Sequence, residues 1–214
     1  EAGMAEGVGW SLAAQALAAI DSAAAPEASC PLEVRSEVIE IAAENYGFHA
    51  MMLGHVFHRD DIHGYDASRP AGPDNLPMLW TETSWMRIGR AQILGIPGEP
   101  TPELFVGGYD GSSTPACYDG FLDPGTLGWP SNPNPPDLSL APSGPYLFDR
   151  LVENGAEFPM AWGLTNDELG YLLPSYDYEL ASPGAYVTEP PGDHYEETNS
   201  IGPAAWPAIE TTAE

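Results

Sequence analysis

Residues 81–100 read TETSWMRIGRAQILGIPGEP. The segment 81–88 has the length and make-up of a strand, Gly89-Arg90 makes a tight turn, and 91–96 (AQILGI) is a short apolar run suited to a buried strand. The second strand stops abruptly at Pro97-Gly98-Glu99-Pro100. A carboxylate at the end of a buried strand, held between prolines and a glycine, stands where α/β sheets place their ligands. The same residues also read as a turn with an exposed Glu, and the pattern alone leaves both readings open.

Working outward, residues 31–41 form a further strand. Leu32, Val34 and Val38 alternate with Glu33, Arg35 and Glu37, the period of a half-buried strand. Residues 158–164 read as a final core strand. Helical spacing of Leu12, Ala13, Ala16, Leu17 and Ile20 predicts a helix over 8–24, with Pro26 beyond its end. Its apolar stripe points to packing rather than chemistry. Shorter helices are expected at 48–57 (FHAMMLGHVF), at 101–106 with Thr101 as cap and Glu103 in the first turn, and at 146–154 with Gly155 as the stop. The fold class is therefore α/β, a mixed sheet with packed helices and long Pro/Gly-rich loops. The longest loop, about 107–145, reads as a surface insertion. Residues 206–214 read as a weakly patterned tail that frays.

The chain of 214 residues carries 32 acidic residues against six arginines and no lysine, a net charge of −26. Phosphate binding needs clustered Lys and Arg, so nucleic acid is an unsuitable partner. Anionic membranes are disfavoured for the same reason. The charge fits a soluble protein held apart by self-repulsion, in surroundings salty enough to screen it. No apolar run approaches the ~20 residues that span a bilayer. Glu1-Ala2-Gly3 is neither a translation start nor a signal peptide, and a processed chain is expected. Cys30 and Cys117 permit one disulfide and an oxidising compartment. Two free thiols, or pairing with another chain, are the alternatives.

Two clusters invite a site. His58-Arg59-Asp60-Asp61-Ile62-His63 carries metal-binding residue types, but its spacing matches no familiar ligand set, and a solvated loop is the simpler reading. Residues 163–203 run from GLTNDELGYLLP to GDHYEETNSIGP. They pack Asn166, Asp167, Glu168, Tyr171, His194, Tyr195, Glu196 and Glu197 between glycines and prolines. Loops held by a scaffold can aim such side chains at a ligand.

Three pieces fall in a fixed order: a strand ending in Ile96-Pro97-Gly98-Glu99-Pro100, then Gly163-Leu164-Thr165-Asn166 with Tyr171 five residues after the Asn, then residues 194–203, HYEETNSIGP. This order resembles the C-terminal half of the catalytic domain of neutral/alkaline (non-lysosomal) ceramidases. Residues 30–59 look like that family's preceding strand and linker, and the resemblance covers roughly residues 1–205. It implies a secreted zinc hydrolase that cleaves the amide of an N-acylated sphingoid base. By the resemblance, Glu99 and Tyr171 correspond to zinc ligands, and Tyr195 to the tyrosine beside the scissile amide. Asp167, Glu168, Glu196 and Glu197 are left with loop and supporting roles. The family takes its remaining zinc ligands from histidines of its N-terminal half. This chain has no His-x-His pair, so an N-terminal portion of the same precursor, or a companion chain, is the expected partner. The segments between the matched residues are also longer than the family's pattern. Two other functions stay open: a non-catalytic extracellular structural or binding subunit on the same scaffold, and a related hydrolase acting on another amide or ester.

Overall fold

The structure is a computed structural model that describes residues 2–23, 29–56, 58–59, 62–66, 68–70, 72–107, 140, 143–192 and 194–213. The chain divides into two units, Glu1–Pro31 and Leu32–Glu214. The first holds helix α1, Ala2–Ser22, longer at its start than the apolar spacing predicts. Alanine, the best helix former, dominates it. Leu12, Leu17 and Ile20 on it are exposed. Cys30 is an exposed free thiol. Cys117 and almost all of the expected insertion lie outside the described residues.

The second unit is mixed α/β. Among the described residues its main sheet has four strands in the order β1-β2-β3-β5. These are β1 (Leu32–Ala42), β2 (Met78–Ile88), β3 (Ala91–Gly95) and β5 (Phe158–Trp162). The first three are antiparallel, and β5 runs parallel to β3. Gly89, at φ 59°, turns β2 into β3 as the sequence predicts. A second sheet pairs only β4 (Glu99–Pro100) with β6 (Tyr171–Leu172). The PGEP segment thus bends at Pro97-Gly98 and then pairs as a strand at Glu99-Pro100, with Glu99 half-buried.

Register sorts the side chains into two faces. Ile39, Ile41, Leu79, Leu94 and Ile96 share the core face with α4 (Leu147–Glu153) and α6 (Ala205–Ala213). Leu147, Leu151, Trp206 and Ile209 from these helices are buried there. The opposite face carries the rows Leu32, Ile88, Ala91, Phe158 and Val34, Met86, Ile93, Met160. Leu32, Val34, Ile88, Phe158 and Trp162 on it are exposed. Among the described residues of this unit, the second face is buried at Ile93 and exposed toward both ends of these rows.

Two expectations are corrected. Residues 158–162 form an edge strand with exposed ends, not a core strand, because among the described residues only β3 pairs with it. Residues 205–213 do not fray: they form α6, with Ala205 and Ile209 at 1% and 0% exposure. Ala205 and Trp206 stand four and three residues before Ile209, a helical spacing that the tail reading passed over, and their burial on the sheet holds the helix.

Candidate functional site

Tight backbone contacts bring the three sequence motifs together. The Glu99 N–H donates to the Gly170 carbonyl at 2.9 Å, and the Thr101 N–H to Leu172 at 3.1 Å. The Leu164 N–H donates to Gly98 at 2.8 Å, and the Tyr171 N–H to Asn199 at 3.1 Å. The approach requires glycine. A Cβ on Gly163 would stand 2.8 Å from the Gly98 carbonyl oxygen, and one on Gly170, at φ +77°, would run into the Asn199 carbonyl. The glycines of the GLTNDELGY motif therefore build contact between segments, beyond marking turns.

Glu99 and Tyr171 are direct partners in the parallel register of β4 and β6. Paired residues of neighbouring strands point to the same side, so the carboxylate and the phenol share one face. The charge of Glu99 is the main influence that holds the Tyr171 phenol above its ordinary value, with burial and Tyr195 adding to it. Tyr195 opens helix α5 (Tyr195–Thr198), and its ring meets Tyr171 edge-on, with centroids 5.8 Å apart. Tyr195 is 53% exposed. The three residues singled out by the resemblance are thus neighbours.

One carboxylate and one phenol on a common face are hard oxygen donors, of which zinc accepts the carboxylate readily but normally with nitrogen or sulfur ligands beside it. Among the described residues, no three or more His, Cys, Asp or Glu side chains are arranged to hold a metal ion. Glu99 and Tyr171 fit the metal as a partial ligand set, to which other residues must add. The His58–His63 cluster is dispersed among other partners. His63 lies 2.6 Å from Glu40 and stacks on Trp80, Arg59 pairs with Asp167, and Asp60 and Asp61 lie outside the described residues.

A groove of about 530 Å³ opens beside Glu99, walled by Phe105, Val106, Met160, Trp162 and Leu164. Its volume is in the range of small-molecule sites, and its walls are mainly apolar.

Next to Tyr195 lies a buried polar pair: the sequence reading singled out His194 and Glu197 but gave Glu197 only a loop or supporting role, and it is instead a buried helical residue. His194 and Glu197 are 1% and 2% exposed, and Nδ1 of the ring sits 2.8 Å from Oε1 of the carboxylate. Burial pushes His194 down, but the Glu197 carboxylate, with Glu179 beyond it, carries it above its usual range. Asp177 ends a 3-10 turn, Ser175–Asp177. Burial, then Glu103 and Glu197, push it up to about 7. Asn45 is fully buried: its Nδ2 donates to the Thr198 and Ser200 carbonyls, while its Oδ1 caps helix α2 (Tyr46–Leu53). A signal did exist for His194 and Glu197. They stand three apart where a helical turn puts them on one face.

Asp167, Glu168 and Glu196 lie around this centre. Asp167 takes two hydrogen bonds from Arg59, each at 2.8 Å. Burial pushes its carboxyl up, but Arg59 and the Glu168 N–H together hold it below the ordinary range. Glu168 accepts from the Gly170 N–H at 2.9 Å. Comparison with protein-family models, characterised proteins and solved structures finds no match.

Proposed function

We propose that this chain is the C-terminal portion of a secreted, ceramidase-like zinc hydrolase that cleaves the amide of an N-acylated lipid. The observation that carries the reading is the convergence of Glu99, Tyr171 and Tyr195. They come from three motifs far apart in the chain, share one site, and match the resemblance residue by residue. Glu99 and Tyr171 hold the zinc, and histidines from an N-terminal portion or a companion chain complete its ligand set. Bound there, zinc supplies a Lewis acid that polarises an acyl carbonyl and makes water nucleophilic at neutral pH. The Glu99 carboxylate offsets cationic charge in the site. The Tyr195 phenol donates a hydrogen bond to the amide oxygen as negative charge develops on it. The apolar groove beside Glu99 supports an acyl chain as part of the substrate. Leu32, Val34, Ile88 and Phe158, exposed apolar residues of one sheet face, offer a surface on which a companion polypeptide would pack.

Zinc analysis of the assembled protein tests the ligands. Glu99→Gln and Tyr171→Phe are each expected to lower zinc occupancy. Full occupancy in both variants removes the ligand assignment and leaves the non-catalytic subunit as the better reading. Tyr195→Phe is expected to keep its zinc and to lose turnover of an N-acyl amide by about 100-fold. A substrate panel of N-acyl amides and esters then separates lipid amide cleavage from a related hydrolysis.

A further inference from the structure

We infer that the buried His194–Glu197 pair positions the Tyr195 phenol over Tyr171, so that both side chains act on the reaction through Tyr195. The inference rests on the proposed role of Tyr195, and its geometry comes from α5 itself. That helix has only four residues. So short a helix has no stability of its own, because the cost of its first turn is never recovered by propagation. What aims Tyr195 must therefore be the anchors of α5. A step of about 100° per residue turns neighbouring side chains to different sides. His194 goes inward and Tyr195 outward, at 1% and 53% exposure.

The anchoring is polar throughout. The His194 ring meets Glu197 at 2.8 Å across one helical turn. The His194 N–H donates to Glu189 Oε1 at 2.9 Å, and the Tyr178 hydroxyl donates to the Glu197 carbonyl at 3.2 Å. An apolar pair would hold a turn in place without the desolvation cost of two charged groups. A charged pair instead fixes one rotation, because only one rotation satisfies both partners. The pair is surrounded by titratable groups. Glu179, Glu189 and Asp177 approach from the segment before α5, Glu196 lies on α5, and Glu103 approaches Asp177 from α3 (Pro102–Val106). Proton loss from His194 leaves at most a neutral Nδ1–H hydrogen bond to Glu197, a weaker hold that loosens the turn.

The test uses the assembled protein labelled with 3-fluorotyrosine, with the Tyr195 signal assigned by its loss in Tyr195→Phe. His194→Gln and Glu197→Gln are each expected to move that fluorine signal toward the position of a free exposed tyrosine. An unmoved signal in both overturns the inference. This readout needs no turnover, so absence of amide hydrolysis would remove the proposed function without touching it. Where hydrolysis is present, His194→Gln is expected to lower kcat about 10- to 100-fold with KM unchanged. In a Tyr195→Phe background the same substitution is expected to cost nothing further. An equal loss in both backgrounds means that His194 acts by another route. Should both variants fail to fold, the unsubstituted protein decides. Its Tyr195 signal is expected to shift in step with the His194 ring as pH rises, and a signal constant across that titration overturns the inference.

Discussion

Glu99 and Tyr171 face each other across the parallel pairing of β4 and β6, and the charge of one sets the acidity of the other. A carboxylate beside a phenol disfavours the phenolate, which is why the Tyr171 phenol is raised. Glu99→Gln is therefore expected to bring the Tyr171 phenol down toward its ordinary value. Ultraviolet difference titration against a Tyr171→Phe control reads the change. An unaltered Tyr171 titration would mean that the two side chains do not share a face.

Gly170 is the tightest point of the site. Its φ of +77° lies in the region that favours glycine, and a Cβ there meets the Asn199 carbonyl. That carbonyl accepts the Tyr171 N–H. Gly170→Ala is expected to destabilise the protein by about 3 kcal/mol, from backbone strain and the lost contact together. Urea unfolding measures it. Gly155, also at positive φ but with open space around it, is the control. Gly155→Ala is expected to cost about 1 kcal/mol.

Asp177 gives the stability curve a definite slope. Burial, Glu103 and Glu197 raise it to about 7 from an ordinary 3.8. Between those values the folded form holds a proton that the unfolded chain has released. Stability therefore falls as pH rises through this window and levels off above it. Asp177→Asn has no such proton to lose. It is expected to match the parent near pH 4 and to be more stable at pH 8, by roughly 2 kcal/mol after allowing for solvent screening of a part-exposed group. Thermal melts at both pH values decide the point, and a gain of equal size at both would contradict it.

The strands were legible where side-chain period and turn chemistry agreed. Residues 81–96 kept their hairpin because Gly89 supplies the turn. Residues 31–41 kept their strand, but the alternation changes phase between Val38 and Ile39, so Leu32, Val34 and Val38 are exposed and Ile39 and Ile41 take the core face. The motif residues Glu99, Tyr171 and Tyr195 were legible through order and spacing. What stayed hidden depends on long-range packing. Nothing local in Asn45 shows that it reaches the Thr198 and Ser200 carbonyls. Asp177 and Glu103 look like ordinary surface acids until the chain folds them together. The terminal helix α6 did carry a signal, Ala205, Trp206 and Ile209 at helical spacing, but the stretch is short and only burial of Trp206 and Ile209 on the sheet holds it. Ile209→Ala is accordingly expected to cost about 3 kcal/mol, the usual loss for a large aliphatic side chain in a closed core. A frayed tail would lose nothing, so denaturant melts separate the two descriptions.

The loop between Gly163 and Tyr171 holds two non-glycine residues at positive φ, Leu164 at 58° and Asn166 at 68°. Such conformations persist only where surrounding contacts outweigh their cost. Asp167 provides the contact by receiving both Arg59 nitrogens at 2.8 Å, with the two side chains 16% and 19% exposed. Arg59→Met leaves the carboxylate half-desolvated without its partner, and is expected to cost about 2–3 kcal/mol. Because the folded Asp167 carboxyl lies below its ordinary value, its stabilisation is present above about pH 4 and is lost as pH falls through the folded value. Asp167→Asn should thus flatten the acid limb of the stability curve, and Arg59→Met should flatten the same limb. If the two side chains act as one unit, the double variant is no worse than the more damaging single. Additive losses would show that Arg59 and Asp167 support the loop separately, and the strained turn that presents Tyr171 would then need another anchor.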